Sequence, residues 1–206
     1  MYKDQNICFY PGDFNPPTKY HFNEAFFLKT LREVNQVVIL LGESRENEIS
    51  QDVKYNIFDI YNRTRYSPGI SIEKAKPGEG NSFQYLAKFL EKHPDIKCYI
   101  ALDAKTAKSD GANRLFSKFE NVEYQIIKSP YKKASSDMLK AVENDDIKDF
   151  MEFLPEGLNQ SQIDEIFNML KVKKEPVEKE DVQDIKEVYT RMFDDGFWKS
   201  VLNIKK

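Results

Sequence analysis

The sequence has no surplus of positive charge, no long apolar run and no grouped cysteines, and each absence removes a class of function. Its 206 residues carry 31 Lys and Arg against 34 Asp and Glu, a formal net charge of −3, and the isoelectric point is about 5.6. A protein that coats duplex nucleic acid needs a basic surplus for its phosphate contacts, so no nucleic acid partner is expected. No apolar run reaches the ~18 residues of a membrane-crossing helix, and the N-terminus lacks the basic head and apolar core of a secretory leader. The expectation is a soluble, cytoplasmic protein with no membrane partner. The two cysteines, Cys8 and Cys98, fall in separate predicted strands without metal-ligand spacing, as buried free thiols of a reducing compartment do. The glycine fingerprint of a dinucleotide site is also missing. Gly78 and Gly80 follow the third predicted strand rather than the first and lack the third glycine, so they read as a turn.

What is present is concentrated near the start. Ile7-Cys8-Phe9-Tyr10 runs into the turn-forming cluster Pro11-Gly12-Asp13-Phe14-Asn15-Pro16-Pro17, and helical spacing begins at about Thr18. A strand that feeds a helix N-terminus through a tight loop binds anions, because the first free N–H groups and the helix dipole point into the loop. Thr18 is placed to cap that helix with its hydroxyl. His21, three residues on, shares the same face and can donate to a phosphate oxygen. Gly12 opens backbone conformations closed to other residues, and the prolines stiffen the loop.

The pattern continues as alternating strands and helices. Val37-Val38-Ile39-Leu40-Leu41 is apolar throughout, as a strand covered on both faces is. From about Asp52 to Tyr66 the spacing is helical, with Val53, Ile57, Ile60 and Tyr61 on one face, and Lys54, Arg63 and Arg65 read as solvated basic residues. Further strands are predicted at 69–73, 98–103 and 122–127, with helices at 82–92 and 113–118. The fourth strand ends in Asp103, which either faces a ligand at the carboxyl end of the sheet or caps the next segment. The expected fold class is α/β: a Rossmann-like, doubly wound, five-stranded parallel sheet with a C-terminal helical extension. Its expected domains are residues 1–145, a helical continuation at 146–171, and a charged linker with C-terminal helices at 172–206, where Trp198 is expected to pack against the chain's own domain.

Gly12-Asp13-Phe14-Asn15-Pro16-Pro17-Thr18-Lys19-Tyr20-His21 resembles the G-x-F-x-P-x-[HT]-x-G-H signature of the nucleotidylyltransferase superfamily, with Tyr20 standing where the signature has Gly. Far downstream, Ser135-Ser136-Asp137-Met138-Leu139-Lys140 is similar to the same superfamily's S-S-T-x-x-R motif, with Lys140 in place of the arginine. That exchange keeps the charge but loses the planar bidentate fork. The stretch around Leu154-Pro155 and the helix after it also resemble nucleotidylyltransferase-like proteins of large tailed phages, so the resemblance extends to about residue 171.

The resemblance implies transfer of a nucleoside monophosphate, AMP favoured over CMP, from a nucleoside triphosphate to a phosphorylated small-molecule acceptor, with release of pyrophosphate. It implies Mg²⁺ as cofactor, held mainly by phosphates and water with no protein metal ligand. His21, Thr18 and Lys140 are the implied catalytic residues, and Gly12, Asp13, Phe14, Asp103, Ser135 and Ser136 the implied nucleotide-binding ones. Lys132 and Lys133, ahead of the serines, would raise the local positive potential. Because a phenol ring replaces the signature glycine at Tyr20, a second reading stays open, a binder of nucleotides or phosphorylated metabolites with the same fold and impaired catalysis. Oligomeric state is not legible.

Overall fold

The first strand, β1 (Ile7–Gly12), is buried along almost its whole length. That requires cover on both faces, and a parallel sheet with helices on each side supplies it. The computed structural model of the chain describes residues 6–45, 48–76, 78–127 and 134–171. Within them the order is β1, α1 (Lys19–Thr30), β2 (Gln36–Leu41), α2 (Gln51–Arg65), β3 (Ile70–Lys74), α3 (Ser82–Lys92), β4 (Cys98–Asp103), α4 (Ala104–Ala107), α5 (Asp110–Phe116), β5 (Val122–Ile127), α6 (Ala134–Glu143), α7 (Ile147–Met151) and α8 (Gln160–Lys171). The five strands pair in the order β3-β2-β1-β4-β5, all parallel. The expected doubly wound sheet is therefore the observed one.

Alternation along the strands feeds two cores. Cys8 and Tyr10 of β1 join Phe22 and Leu28 of α1, Phe58 and Tyr61 of α2, Met138 of α6, Phe150 of α7 and Phe167 of α8. Ile7 and Phe9 point the other way, to Leu86 and Leu90 of α3 and Phe116 of α5. The helices that follow residue 145 are thus part of the first core, and Phe150 and Phe167 meet edge to face at 5.0 Å. Met1–Lys171 form one unit and Val172–Lys206 a second, and the linker and C-terminal helices expected there, with Trp198, lie outside the described residues. Cys8 and Cys98 are buried free thiols, and burial pushes both up to about 12.

Local chemistry sets the ends of the helices. Asn81 caps α3 by accepting from the N–H groups of Phe83 and Gln84, and the Gln84 side chain accepts from the Asn81 N–H in return. This N-terminus sits directly on the end of β2. A Cβ on Gly42 would collide with the backbone nitrogen of Ser82 and lie 2.9 Å from the Asn81 Cα. Backbone cannot step aside as a flexible side chain can. Gly42→Ala is therefore expected to lower stability by about 1–3 kcal/mol, read as a shift in the urea midpoint at unchanged slope.

Candidate functional site

The carboxyl ends of β1 and β4 part company at the switch in strand order, because the chain leaves β1 toward β2 on one side and reaches β4 on the other. A cleft of about 280 Å³ opens there. Its lining includes Gly12, Asp13 and Phe14 from the loop after β1, His21 and Glu24 from α1, Phe83 from α3, and Asp103 and Thr106 from the end of β4 and α4.

The loop from Gly12 to Thr18 is held from four directions. The Asn15 side-chain oxygen accepts from the Ile49 N–H at 2.9 Å. The Pro16 carbonyl accepts from the Ser135 hydroxyl at 2.8 Å, the Pro17 carbonyl from the Tyr61 hydroxyl at 3.3 Å, and the Lys19 N–H donates to the Phe153 carbonyl at 2.7 Å. Inside this frame Phe14 adopts a left-handed backbone, φ 43°, which a bulky residue rarely does. Its ring lies over Gly12, where a Cβ would come within 2.6 Å of it. The same ring meets Tyr10, His21 and Phe58 edge to face at 5.1, 5.3 and 5.1 Å. Gly12 is required here by a close approach, and Phe14 backs the His21 ring.

His21 is the best-defined polar group of the cleft. The Thr18 N–H donates to its Nδ1 at 3.1 Å, and the Thr18 hydroxyl lies 3.0 Å from the same nitrogen. This is a capping box with histidine in the place of the usual Glu or Gln. With Nδ1 accepting, the proton of the neutral ring is on Nε2, the nitrogen left for a ligand. Burial lowers its pKa from 6.5 to about 4, so the ring is neutral at pH 7 and donates without carrying charge.

No protein-family model matches this sequence, and neither does any curated protein. Solved structures do. The chain is similar to Plasmodium falciparum nicotinic acid mononucleotide adenylyltransferase complexed with NaAD, at 18% identity and a TM-score of 0.57, over 80% of this chain and 95% of that one. The same enzyme complexed with APC matches at 19% identity and a TM-score of 0.57, over the same shares. A Vibrio parahaemolyticus structure provisionally described as a nicotinate-nucleotide adenylyltransferase matches at 14% identity and a TM-score of 0.54, over 80% and 99%. The chain has the fold of these adenylyltransferases.

Within this fold, the structure gathers Gly12, Asp13, Phe14, His21 and Asp103 at one cleft. Asp103 takes both of the positions open to it, since it lines the cleft and its carboxylate accepts from the N–H groups of Lys105 and Thr106 at 2.9 and 3.1 Å. Thr18 is fully buried, so its route to a ligand is through His21. Ser135, Ser136 and Lys140 stand on α6, outside the cleft lining. Ser135 holds Pro16, Ser136 is exposed, and Lys140 is exposed beside Asp137 at 3.2 Å. Tyr20 is half-buried and is also not among the lining residues, with the Lys19 ammonium 5.4 Å from its ring centre. Lys132 and Lys133 lie outside the described residues.

Two features escaped the sequence. Lys54 is not a solvated base: its side chain is 3% exposed and its ammonium is 3.5 Å from Glu48. Burial pulls its pKa below the usual lysine range while Glu48 and Asp13 oppose the shift. The buried face of α2 runs through Lys54, Ile57, Phe58 and Tyr61, so the spacing i, i+3, i+4, i+7 already carried the signal. Glu24 lies one turn after His21 on the same face of α1. The Tyr10 hydroxyl donates to its Oε2, and its Oε1 is buried without a hydrogen-bond partner. Burial holds this carboxyl above the ordinary range, the Tyr10 hydrogen bond pulls it down, and Asp103 adds to the rise.

The buried neutral His21 has a consequence for acid stability. An unfolded imidazole takes its proton near 6.5, whereas the folded ring refuses it until about 4. Between those values the unfolded state binds more protons, so stability is fully present above pH 6.5 and is lost as pH falls toward 4. The expected loss is about 3 kcal/mol. Urea unfolding at pH 7 and pH 4 should show that this part of the acid destabilisation disappears in His21→Asn.

Proposed function

We propose that this chain is a nucleotidylyltransferase that moves a nucleoside monophosphate, AMP favoured, from a nucleoside triphosphate to the phosphate of a small-molecule acceptor, a pyridine mononucleotide favoured, with release of pyrophosphate. The observation that carries the reading is the His21 ring, neutral and fixed by Thr18 so that its Nε2–H is the donor left for the cleft at the strand switch point. The fold and the two adenylyltransferase complexes support it.

The acceptor phosphate attacks the α-phosphorus in line, the new P–O bond forms, and the bond to the bridging oxygen of pyrophosphate breaks with its electron pair leaving on pyrophosphate. No protein nucleophile is needed. The chain aligns the two substrates and stabilises charge that develops on the α-phosphate. His21 donates from Nε2 to that phosphate, and Thr18 fixes the tautomer. Ser135 of α6 holds the loop from the other side through the Pro16 carbonyl, and the role at the β- and γ-phosphates is assigned to Lys140, which stands on the same helix outside the cleft lining. Among the described residues no group of three or more acidic, His or Cys side chains is arranged to hold a metal ion. Asp13 and Asp103, which line the same cleft, would bind the waters of a Mg²⁺ ion arriving on the triphosphate. When bound it neutralises phosphate charge.

Pyrophosphate release tests the proposal, with Mg²⁺, each common nucleoside triphosphate and a panel of phosphorylated acceptors. Release that requires both a triphosphate and one acceptor is the expected result. Nucleotide binding without release under any pairing would leave only the binder.

A further inference from the structure

Among the described residues, Lys54 is the one charged residue that the fold buries. A lysine is buried at a cost unless acids meet it, and two do, each from a different loop. Glu48, from the loop between β2 and α2, lies 3.5 Å from the ammonium, and Asp13, from the loop after β1, acts on it from the cleft. Both favour the charged form that burial opposes. The two loops are joined directly, since the Ile49 N–H donates to the Asn15 side chain at 2.9 Å. Lys54 also stands one turn before Phe58, whose ring meets Phe14 edge to face at 5.1 Å, so the face of α2 that carries the ammonium packs on the loop after β1.

The three charges differ in what they reach. Asp13 is exposed and lines the cleft, whereas neither Glu48 nor Lys54 does, so Lys54 has no route to a ligand by contact. Its charge has a route by field. A side chain only 3% exposed is screened far less than a surface lysine, and its charge is felt through protein rather than through water. One ammonium against two carboxylates leaves the cluster with a single negative charge. Without the ammonium it would have two, one of them at the cleft.

We infer that Lys54 is a buried counter-charge for the triphosphate: without touching it, the ammonium offsets Asp13 and Glu48 and sets how tightly the cleft holds a polyanion. The inference rests on the transferase reading for the triphosphate's presence there. It gives the two partners of one ion pair opposite effects. A pair that only braced the two loops would weaken binding whichever partner was removed, because either loss loosens the same frame. A field has a sign. Removing the cation repels the triphosphate, and removing the acid attracts it.

Calorimetric titration of the full chain with ATP tests this, free of divalent metal so that only the chain's own charges act on the phosphates. Lys54→Met is expected to weaken ATP about tenfold. Glu48→Gln, which keeps an oxygen for the Arg45 N–H, is expected to tighten it about threefold. A Glu48→Gln chain that binds ATP no tighter than the unaltered one overturns the inference, even where Lys54→Met does not fold. Undiminished affinity in folded Lys54→Met overturns it too, as does no ATP binding by the unaltered chain. The transferase reading fails separately: opposite shifts in the two variants with no pyrophosphate release from any triphosphate and acceptor sink that reading alone. Pyrophosphate release by a chain whose ATP affinity is indifferent to both substitutions sinks the inference alone.

Discussion

His21→Ala is expected to lower the turnover of pyrophosphate release by about a hundred- to a thousand-fold, the usual loss when one preorganised donor to developing charge is removed. The loss should fall on kcat, with KM for the triphosphate little changed, because the Nε2–H bond strengthens as charge builds on the α-phosphate and contributes little before. A purely structural histidine would behave differently. It would raise KM or lower the folded fraction, both of which circular dichroism and a substrate titration detect. Since the ring is already neutral, with its pKa near 4, the rate should also show no inflection near pH 6.5 assignable to this residue. An inflection there that vanishes in His21→Ala would contradict the assignment.

Phe14→Ala is expected to cost about 3–5 kcal/mol, the range for removing a buried phenyl ring. The ring is 5% exposed, makes edge-to-face contact with three other rings and fills the space over Gly12. Phe14 also holds a positive φ of 43°. That conformation costs an L-residue about 1–2 kcal/mol, which packing of the ring offsets. Alanine keeps the backbone penalty and loses the packing. Phe14→Gly loses the same packing but relieves the backbone, so it should unfold at a higher urea concentration than Phe14→Ala. A glycine variant no more stable than the alanine variant would show that the left-handed turn stores no strain.

The sequence foretold the elements better than it foretold the contacts of single side chains. Strands at 98–103 and 122–127 and the helix at 82–92 coincide with β4, β5 and α3, because their apolar period and bounding turn residues are local signals. The helix expected at 113–118 is observed earlier, at Asp110–Phe116, and Asp103 caps the segment after it as one of its two expected readings had it, though that segment's single turn, α4, was not foreseen as a helix. On α2 the buried face takes in Lys54 and Phe58 beside the expected Ile57, Ile60 and Tyr61, and Val53 packs half-buried against the same core. A lysine on an apolar stripe reads as solvated until the acids that receive it, Glu48 and Asp13, are placed by the fold.

At the site, the motif residues around Gly12 and His21 were legible because they are contiguous. Their partners were not. Ser135 reaches Pro16 across 119 positions, and no spacing rule connects the two. Glu24 was passed over because a single acid on an amphipathic helix is ordinarily a solvated one. Only the strand order, which brings Tyr10 and Asp103 to the same cleft, turns it inward.

The most direct test of the account is the fate of an α-labelled nucleoside triphosphate incubated with Mg²⁺, the full chain and the pyridine mononucleotide acceptor. The account predicts that the label appears in a dinucleotide in step with pyrophosphate. Label recovered only as nucleoside diphosphate or monophosphate, or left in the triphosphate while the protein still binds it, would contradict attack at the α-phosphorus and with it the assigned reaction.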